Sequence, residues 1–227
     1  MTRRSDPLEL TPPARRPHAV YVDPLEVVWL TCAQEIGWRV ERSGEVFASW
    51  DGRETLTIGA DAELDPDDHL GQMILHEICH ALIEGPEGWS AVDWGLENRD
   101  ARDLDRELAT HRLQAAWSDR VNLRSFFAVT TDWRAYYDLL GSDPLAPLMP
   151  DALSSWRRVW SLDESFARAL DARAVDLARC GAQRAHDLGW ERSLISALKA
   201  TSALAEIVRA HTPRSEVLGS LWSIGGP

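Results

Sequence analysis

His76-Glu77-Ile78-Cys79-His80 sets two histidines four residues apart, with a glutamate directly after the first. On an α-helix, which turns about 100° per residue, both imidazoles leave one face and can grip a single metal ion, with Glu77 beside them. Water activated at such a pair is a nucleophile, and a neighbouring glutamate is the base that takes its proton. His76 and His80 are therefore candidate metal ligands, Glu77 is the candidate catalytic residue, and Zn2+ is the expected ion.

The flanking residues predict the helix that this spacing needs. Asp65-Pro66-Asp67-Asp68 offers an N-cap at Asp65, a proline at the first helical position and acidic residues facing the positive end of the dipole. Gly85-Pro86 ends the helix after Glu84. Leu70, Ile74, Ile78, Ala81 and Leu82 form an apolar stripe, whereas Met73, His76, Glu77, His80 and Glu84 fall on another face. Two histidines and a glutamate in a mostly buried helix must each find a partner or carry a desolvation cost, and a metal supplies that partner. Cys79 is turned about 100° from either histidine and reads as a packing thiol.

A zinc hydrolase takes three protein ligands and keeps the fourth position for water, so one more ligand has to come from elsewhere. Residues 101–119 predict the next helix, with Leu104, Leu108 and Ala115 on one face and Glu107 and His111 projecting close to it. Glu107 ranks first and His111 second, either as a replacement ligand or as a partner that orients one. Asp93, Glu97, Asp100 and Asp103 are outside candidates, most of them expected to be solvated surface charges.

The stretch Glu107-Leu108-Ala109-Thr110-His111-Arg112-Leu113 resembles the third-ligand helix of gluzincin metallopeptidases, and within them the ImmA/IrrE-like group and, more distantly, the M48 peptidases. Those families join an H-E-x-x-H helix to a later helix bearing E-x-x-A-[ND], often continued by R-F-A. Thr110 stands where the family has Ala, and His111 where it has Asp or Asn. The resemblance runs from the segment before the motif helix to Trp117, less than half of the chain. It implies that Glu107 is the third ligand, that the core is zincin-like, and that the protein is a regulatory cytoplasmic endopeptidase acting on few protein targets.

The predicted fold is α+β and mostly helical. Residues 1–23 read as a flexible arm, 24–120 as the zincin-like catalytic core, 121–150 as a connecting segment and possible cleft wall, and 151–227 as a C-terminal helical region packed on the core. A first helix is expected from Asp23-Pro24 to about Glu41. Residues 45–50 and 53–58 alternate around Asp51-Gly52, predicting a β-hairpin with a two-residue type I′ turn. Thr55 to Ile58 is then the candidate edge for β-addition of a peptide. Trp89 and Trp94, in the loop between the ligand helices, either wall a cleft or pack over the core. Tyr136 and Tyr137 are candidate oxyanion donors, with ordinary packing as the commoner role of such phenols. Helices are predicted over 152–160, 163–188 and 191–211, with Arg157, Arg158, Arg168, Arg173, Arg179 and Arg184 on solvated faces or paired with core acids. His18, His69, His186 and His211 read as surface or packing residues.

The chain has 227 residues, 44% of them hydrophobic, which is ample for a packed interior. Its 36 acidic against 24 basic side chains give a net charge of −12, which disfavours direct nucleic-acid binding. No run reaches membrane-span length and the first residues lack a secretory apolar core, so no membrane partner and a cytoplasmic address are expected. Cys32, Cys79 and Cys180 have no metal or redox spacing and read as buried thiols. The expected partner is a peptide or protein substrate, with oligomeric state left open. The alternatives are a non-catalytic zinc-containing interaction protein, whose site would be closed by a fourth ligand, and a metal-free fold.

Overall fold

The structure is a computed structural model and describes residues 21–65, 67–96, 103–130 and 133–211. It is α+β and mostly helical: seven α-helices among the described residues and one three-stranded mixed sheet. Helix α1 (Pro24–Glu35) begins where the Asp23 carboxylate accepts from the Leu25 N–H at 2.8 Å, with Pro24 in the first turn. It ends six residues short of the expected Glu41. Gly37 takes φ +93°, a conformation that removes the next residues from the helix, and Arg39–Ser43 form strand β1 instead. Val40 therefore belongs to a strand.

Strands β2 (Ala48–Trp50) and β3 (Thr55–Gly59) form the expected hairpin, with Trp50 opposite Leu56. The turn is longer than a type I′ pair. Asp51 N–H reaches Thr55 C=O at 3.0 Å, and the Asp51 carboxylate accepts from the Arg53, Glu54 and Thr55 N–H groups. Strand β1 pairs parallel with β3, giving the order β1-β3-β2. This corrects the edge assignment: Thr55–Ile58 lie in the central strand, bonded on both sides, and the strand with a free side toward the motif helix is β2.

Helix α2 (Leu70–Glu84) carries the motif and starts five residues after Asp65. Its N-cap is His69, whose Nδ1 accepts from the Gln72 N–H at 3.2 Å while Nε2–H donates to Phe126 C=O at 3.1 Å. Burial pushes the His69 imidazole down to about 4, which keeps it in the neutral form that this donor-acceptor arrangement needs. His69 is thus a cap tied to a distant loop. At the other end the Arg184 guanidinium, from a later helix, donates to the Leu82 and Ile83 carbonyls and covers the negative end of the dipole.

Nearly all of α2 is buried because neighbours surround it. Helix α3 (Leu104–Asp119) lies on one side with Leu108, Leu113 and Ala115 inward. After the short α4 (Arg134–Tyr137), helices α5 (Pro150–Val159), α6 (Glu164–Asp187) and α7 (Glu191–His211) match the three predicted segments. Helix α6 comes close at Gly181, where a Cβ would stand 2.9 Å from Leu113 and 3.0 Å from Ile83. Helix α7 meets α1 through a 3.1 Å bond from Trp29 Nε1–H to Thr201 Oγ1.

Trp29 also lies across Gly71, the second residue of α2, where a Cβ would sit 2.4 Å from the indole ring. Gly71→Ala is accordingly expected to destabilise the fold by about 1–3 kcal/mol through overpacking, read as a lower urea midpoint. An unchanged midpoint would show that the ring yields freely.

Among the described residues no helix is long and apolar enough to cross a membrane. Cys32 and Cys79 are buried as expected, whereas Cys180 is exposed. Its place on the outer side of α6, one residue before the buried Gly181, explains the difference.

Candidate metal centre

His76 and His80 leave α2 one turn apart, and Glu107 comes from the first turn of α3 to meet them. His80 Nε2 lies 3.0 Å from His76 Nε2 and 3.3 Å from Glu107 Oε2, and His76 Nε2 lies 3.8 Å from Glu107 Oε1. Donors about 2.0–2.1 Å from one tetrahedral ion stand about 3.3–3.4 Å apart, so these spacings suit a shared cation. Among the described residues these three form a group that can hold a metal ion.

The far sides of both rings are already engaged. Gln114 Nε2–H donates to Phe127 C=O at 2.6 Å, which turns Gln114 Oε1 toward His76 Nδ1 at 2.9 Å. An acceptor there places the proton on Nδ1 and leaves a bare lone pair on Nε2. Thr110 Oγ1 lies 3.2 Å from His80 Nδ1, so the far side of the second ring is also engaged, by a hydroxyl that can either accept or donate. Burial pushes the His80 imidazole down to about 3, so it stays neutral. Burial alone would raise Glu107, but the His80, His111 and His76 rings around it outweigh that and hold its carboxyl well below the usual carboxylate range. A neutral imidazole at His80 and an ionised carboxylate at Glu107 are donor states that metal binding requires.

Thr110 and Gln114 thus engage the far sides of the two candidate ligand rings, and the sequence singled out neither. Thr110 was visible only as a departure from the family pattern. Gln114 follows Glu107 by seven residues, two helical turns on the same face, and that periodicity was its one signal. Thr110→Val keeps the shape and removes the hydroxyl. It is expected to weaken metal binding about 10–100-fold in chelator competition, and wild-type affinity would deny Thr110 this role.

His111 is not one of the three converging donors, but it stands beside one of them, Glu107. Its Nε2 lies 3.2 Å from Glu107 Oε1 but outside hydrogen-bond geometry, and its atoms are not among the converging donors. Burial lowers its basicity, and it stacks 5.4 Å from His76. Asp93 is spent on Ser49 Oγ–H and the Trp50 N–H, Asp103 lines the cleft, and Glu97 and Asp100 lie outside the described residues. Tyr136 and Tyr137 are buried away from the site, Tyr136 taking a bond from Arg112 and Tyr137 donating to Arg124 C=O. Neither is placed to serve an oxyanion at this centre.

Glu77 opens onto the same cleft, a cavity of about 490 Å³ walled by β2 at Ala48 and Ser49 and by Val129, Thr130 and Trp133. Burial raises its carboxyl above the ordinary range, with His76 and the Trp94 N–H pulling the other way. Trp94 Nε1–H donates to Glu77 Oε2 at 2.9 Å, and its ring packs on Trp50 at 4.5 Å. Trp94 therefore both lines the cleft and packs over the core, while Trp89 packs and donates to Ala81 C=O. Compared with known families, curated proteins and solved structures, the chain matches none: no protein-family model, no curated protein and no solved structure is similar to it.

Proposed function

We propose that the protein is a zinc-dependent metallopeptidase of the gluzincin type, in which His76, His80 and Glu107 hold the ion. The observation that carries the reading is the convergence of His76 Nε2, His80 Nε2 and the Glu107 carboxylate, with Gln114 and Thr110 against the far sides of the two rings. When bound, zinc supplies Lewis acidity that activates water and polarises a carbonyl. Glu77 Oε2 is held by Trp94, which leaves Oε1 to take a proton from the attacking water and return it to the leaving amine. A group that serves first as base and then as acid benefits from the raised carboxyl that burial gives it.

The substrate is a peptide or protein segment that lies extended along β2. Alternation along the antiparallel pair turns the Ala48 N–H and C=O and the Trp50 C=O to the open side, beside the cleft. Phe47 stands exposed at the rim and Trp133 lines the wall, which suits apolar side chains of that segment. A closed, purely structural zinc site needs a fourth protein donor, and among the described residues only His76, His80 and Glu107 converge, which favours the open, catalytic reading.

The test pairs metal analysis with hydrolysis of a quenched-fluorescence peptide pool, on full-length protein purified without a metal-affinity tag. About one zinc per chain is expected in both the wild type and Glu77→Gln, with turnover in the variant lower by about 10²–10⁴-fold. Full turnover in Glu77→Gln would remove the role assigned to this residue. Wild-type protein that takes up no zinc would leave a His80 Nε2–H bonded to His76 as the account of the cluster.

A further inference from the structure

We propose that Trp94 is a positioning residue for Glu77, and that the Asp93-Trp94 turn ties this base to the open edge of the sheet. The inference rests on the peptidase reading of Glu77. The turn lies in the short 3-10 segment Val92–Gly95, where Asp93 (φ 48°, ψ 39°) and Trp94 (φ 59°, ψ 11°) are consecutive left-handed residues and neither is glycine. Side chains rarely tolerate that conformation once, and two in succession persist only where surrounding contacts enforce it.

Both side chains are so enforced. Asp93 Oδ1 accepts from Ser49 Oγ–H at 2.8 Å and from the Trp50 N–H at 3.0 Å, occupying the last outward donor of β2. The next residue stacks its indole on Trp50, with the planes 10° apart, and packs on Trp38 at 5.5 Å. The indole N–H is then delivered to Glu77 Oε2 at 2.9 Å, inside a contact where both residues are buried. The terminal torsion of a glutamate is soft, so a carboxylate without such a donor would rotate freely. Held by one oxygen, it keeps the other aimed at the cleft, the preorganisation that proton transfer rewards. Because Asp93 marks where pairing along β2 stops, the same turn sets the position of a paired segment against the base.

The experiment is nitrogen-15 NMR of the indole N–H signals in the zinc-loaded full chain, beside steady-state kinetics on the peptide pool. Trp94→Phe keeps a ring against Trp50 and removes the donor, so the signal it deletes belongs to Trp94. That signal is expected to move upfield in Glu77→Gln, where a neutral amide replaces the carboxylate. It is also expected to move in Asp93→Ala, where the anchor is lost. Trp94→Phe should retain one zinc and lower kcat about tenfold or more with KM unchanged. A Trp94 signal unmoved by Glu77→Gln, or wild-type kcat in Trp94→Phe, overturns the assignment, and a signal unmoved by Asp93→Ala removes the anchor from it. If the wild type binds zinc and hydrolyses nothing, the peptidase reading fails while the indole shift alone decides whether Trp94 holds Glu77.

Discussion

Glu107→Ala is expected to lower zinc affinity about 10³-fold, because a protein site that binds zinc with about 10–16 kcal/mol draws several kcal/mol from each ligand. The carboxylate is also the one negative charge among the three donors, so its loss removes the electrostatic attraction for a dication as well as a bond. The effect on stability should depend on metal. Without it, the rings around Glu107 hold its carboxyl below the usual carboxylate range, so the ionised form is favoured in the fold and the variant should melt at or below the metal-free wild type near neutral pH. With zinc at about 1,000 times the wild-type Kd, the wild type should gain about 4 kcal/mol by mass action and the variant almost nothing. Melting curves of both proteins with chelator and with added zinc measure this. Equal zinc-dependent gains would eliminate Glu107 as a ligand, and a variant already unfolded with chelator would point to a structural role. His80→Ala should lose the metal in the same way.

Which parts of this architecture can be read from the chain follows from the range of the interactions involved. Helices α2, α3, α6 and α7 carry their apolar residues at helical spacing, a local signal that tertiary packing then reinforces. Boundaries failed where a distant partner outcompeted a local one. Asp65-Pro66 has the chemistry of a helix start, yet His69 starts α2 because Phe126, 57 residues away, holds the other side of its ring. Val40 continued the period of α1, but the positive φ at Gly37 handed it to a strand whose partner is β3.

The candidate site divides in the same way. His76, Glu77 and His80 share one turn and one face, so their chemistry is local, and Glu107 was within reach through the resemblance. The groups that engage them span 17 residues for Trp94–Glu77, 30 for Thr110–His80 and 38 for Gln114–His76. No periodicity links residues on different elements. Thr55–Ile58 failed as an edge for a related reason: alternation identifies a strand, but strand order depends on where β1 docks.

Arg112→Met is expected to cost about 3–5 kcal/mol of stability, a large share of the 5–15 kcal/mol typical of a folded domain. Arg112 is fully buried on α3, yet every arm of its guanidinium is used. Nε donates to Tyr136 OH at 2.6 Å, Nη1 to the Pro144 and Ala146 carbonyls at 2.7 Å each, and Nη2 to Asp171 of α6. Asp171 in turn accepts from the Leu148 N–H at 3.0 Å. One side chain therefore joins α3 to α4, to the 144–148 segment and to α6. Methionine fills much of the volume but leaves the buried Asp171 carboxylate without its cation and the Pro144 and Ala146 carbonyls without their donor, and that loss, more than the worth of the ion pair itself, sets the size of the effect. Arg112→Met combined with Asp171→Leu should recover part of the damage, with a coupling of about 2–3 kcal/mol in urea unfolding. Strictly additive losses would mean that the two charges do not depend on one another. Since Glu107, Thr110 and Gln114 project from the same helix, slackening this anchor should also loosen the metal centre. Where Arg112→Met remains folded, its zinc affinity is expected to fall although residue 112 touches none of the ligands.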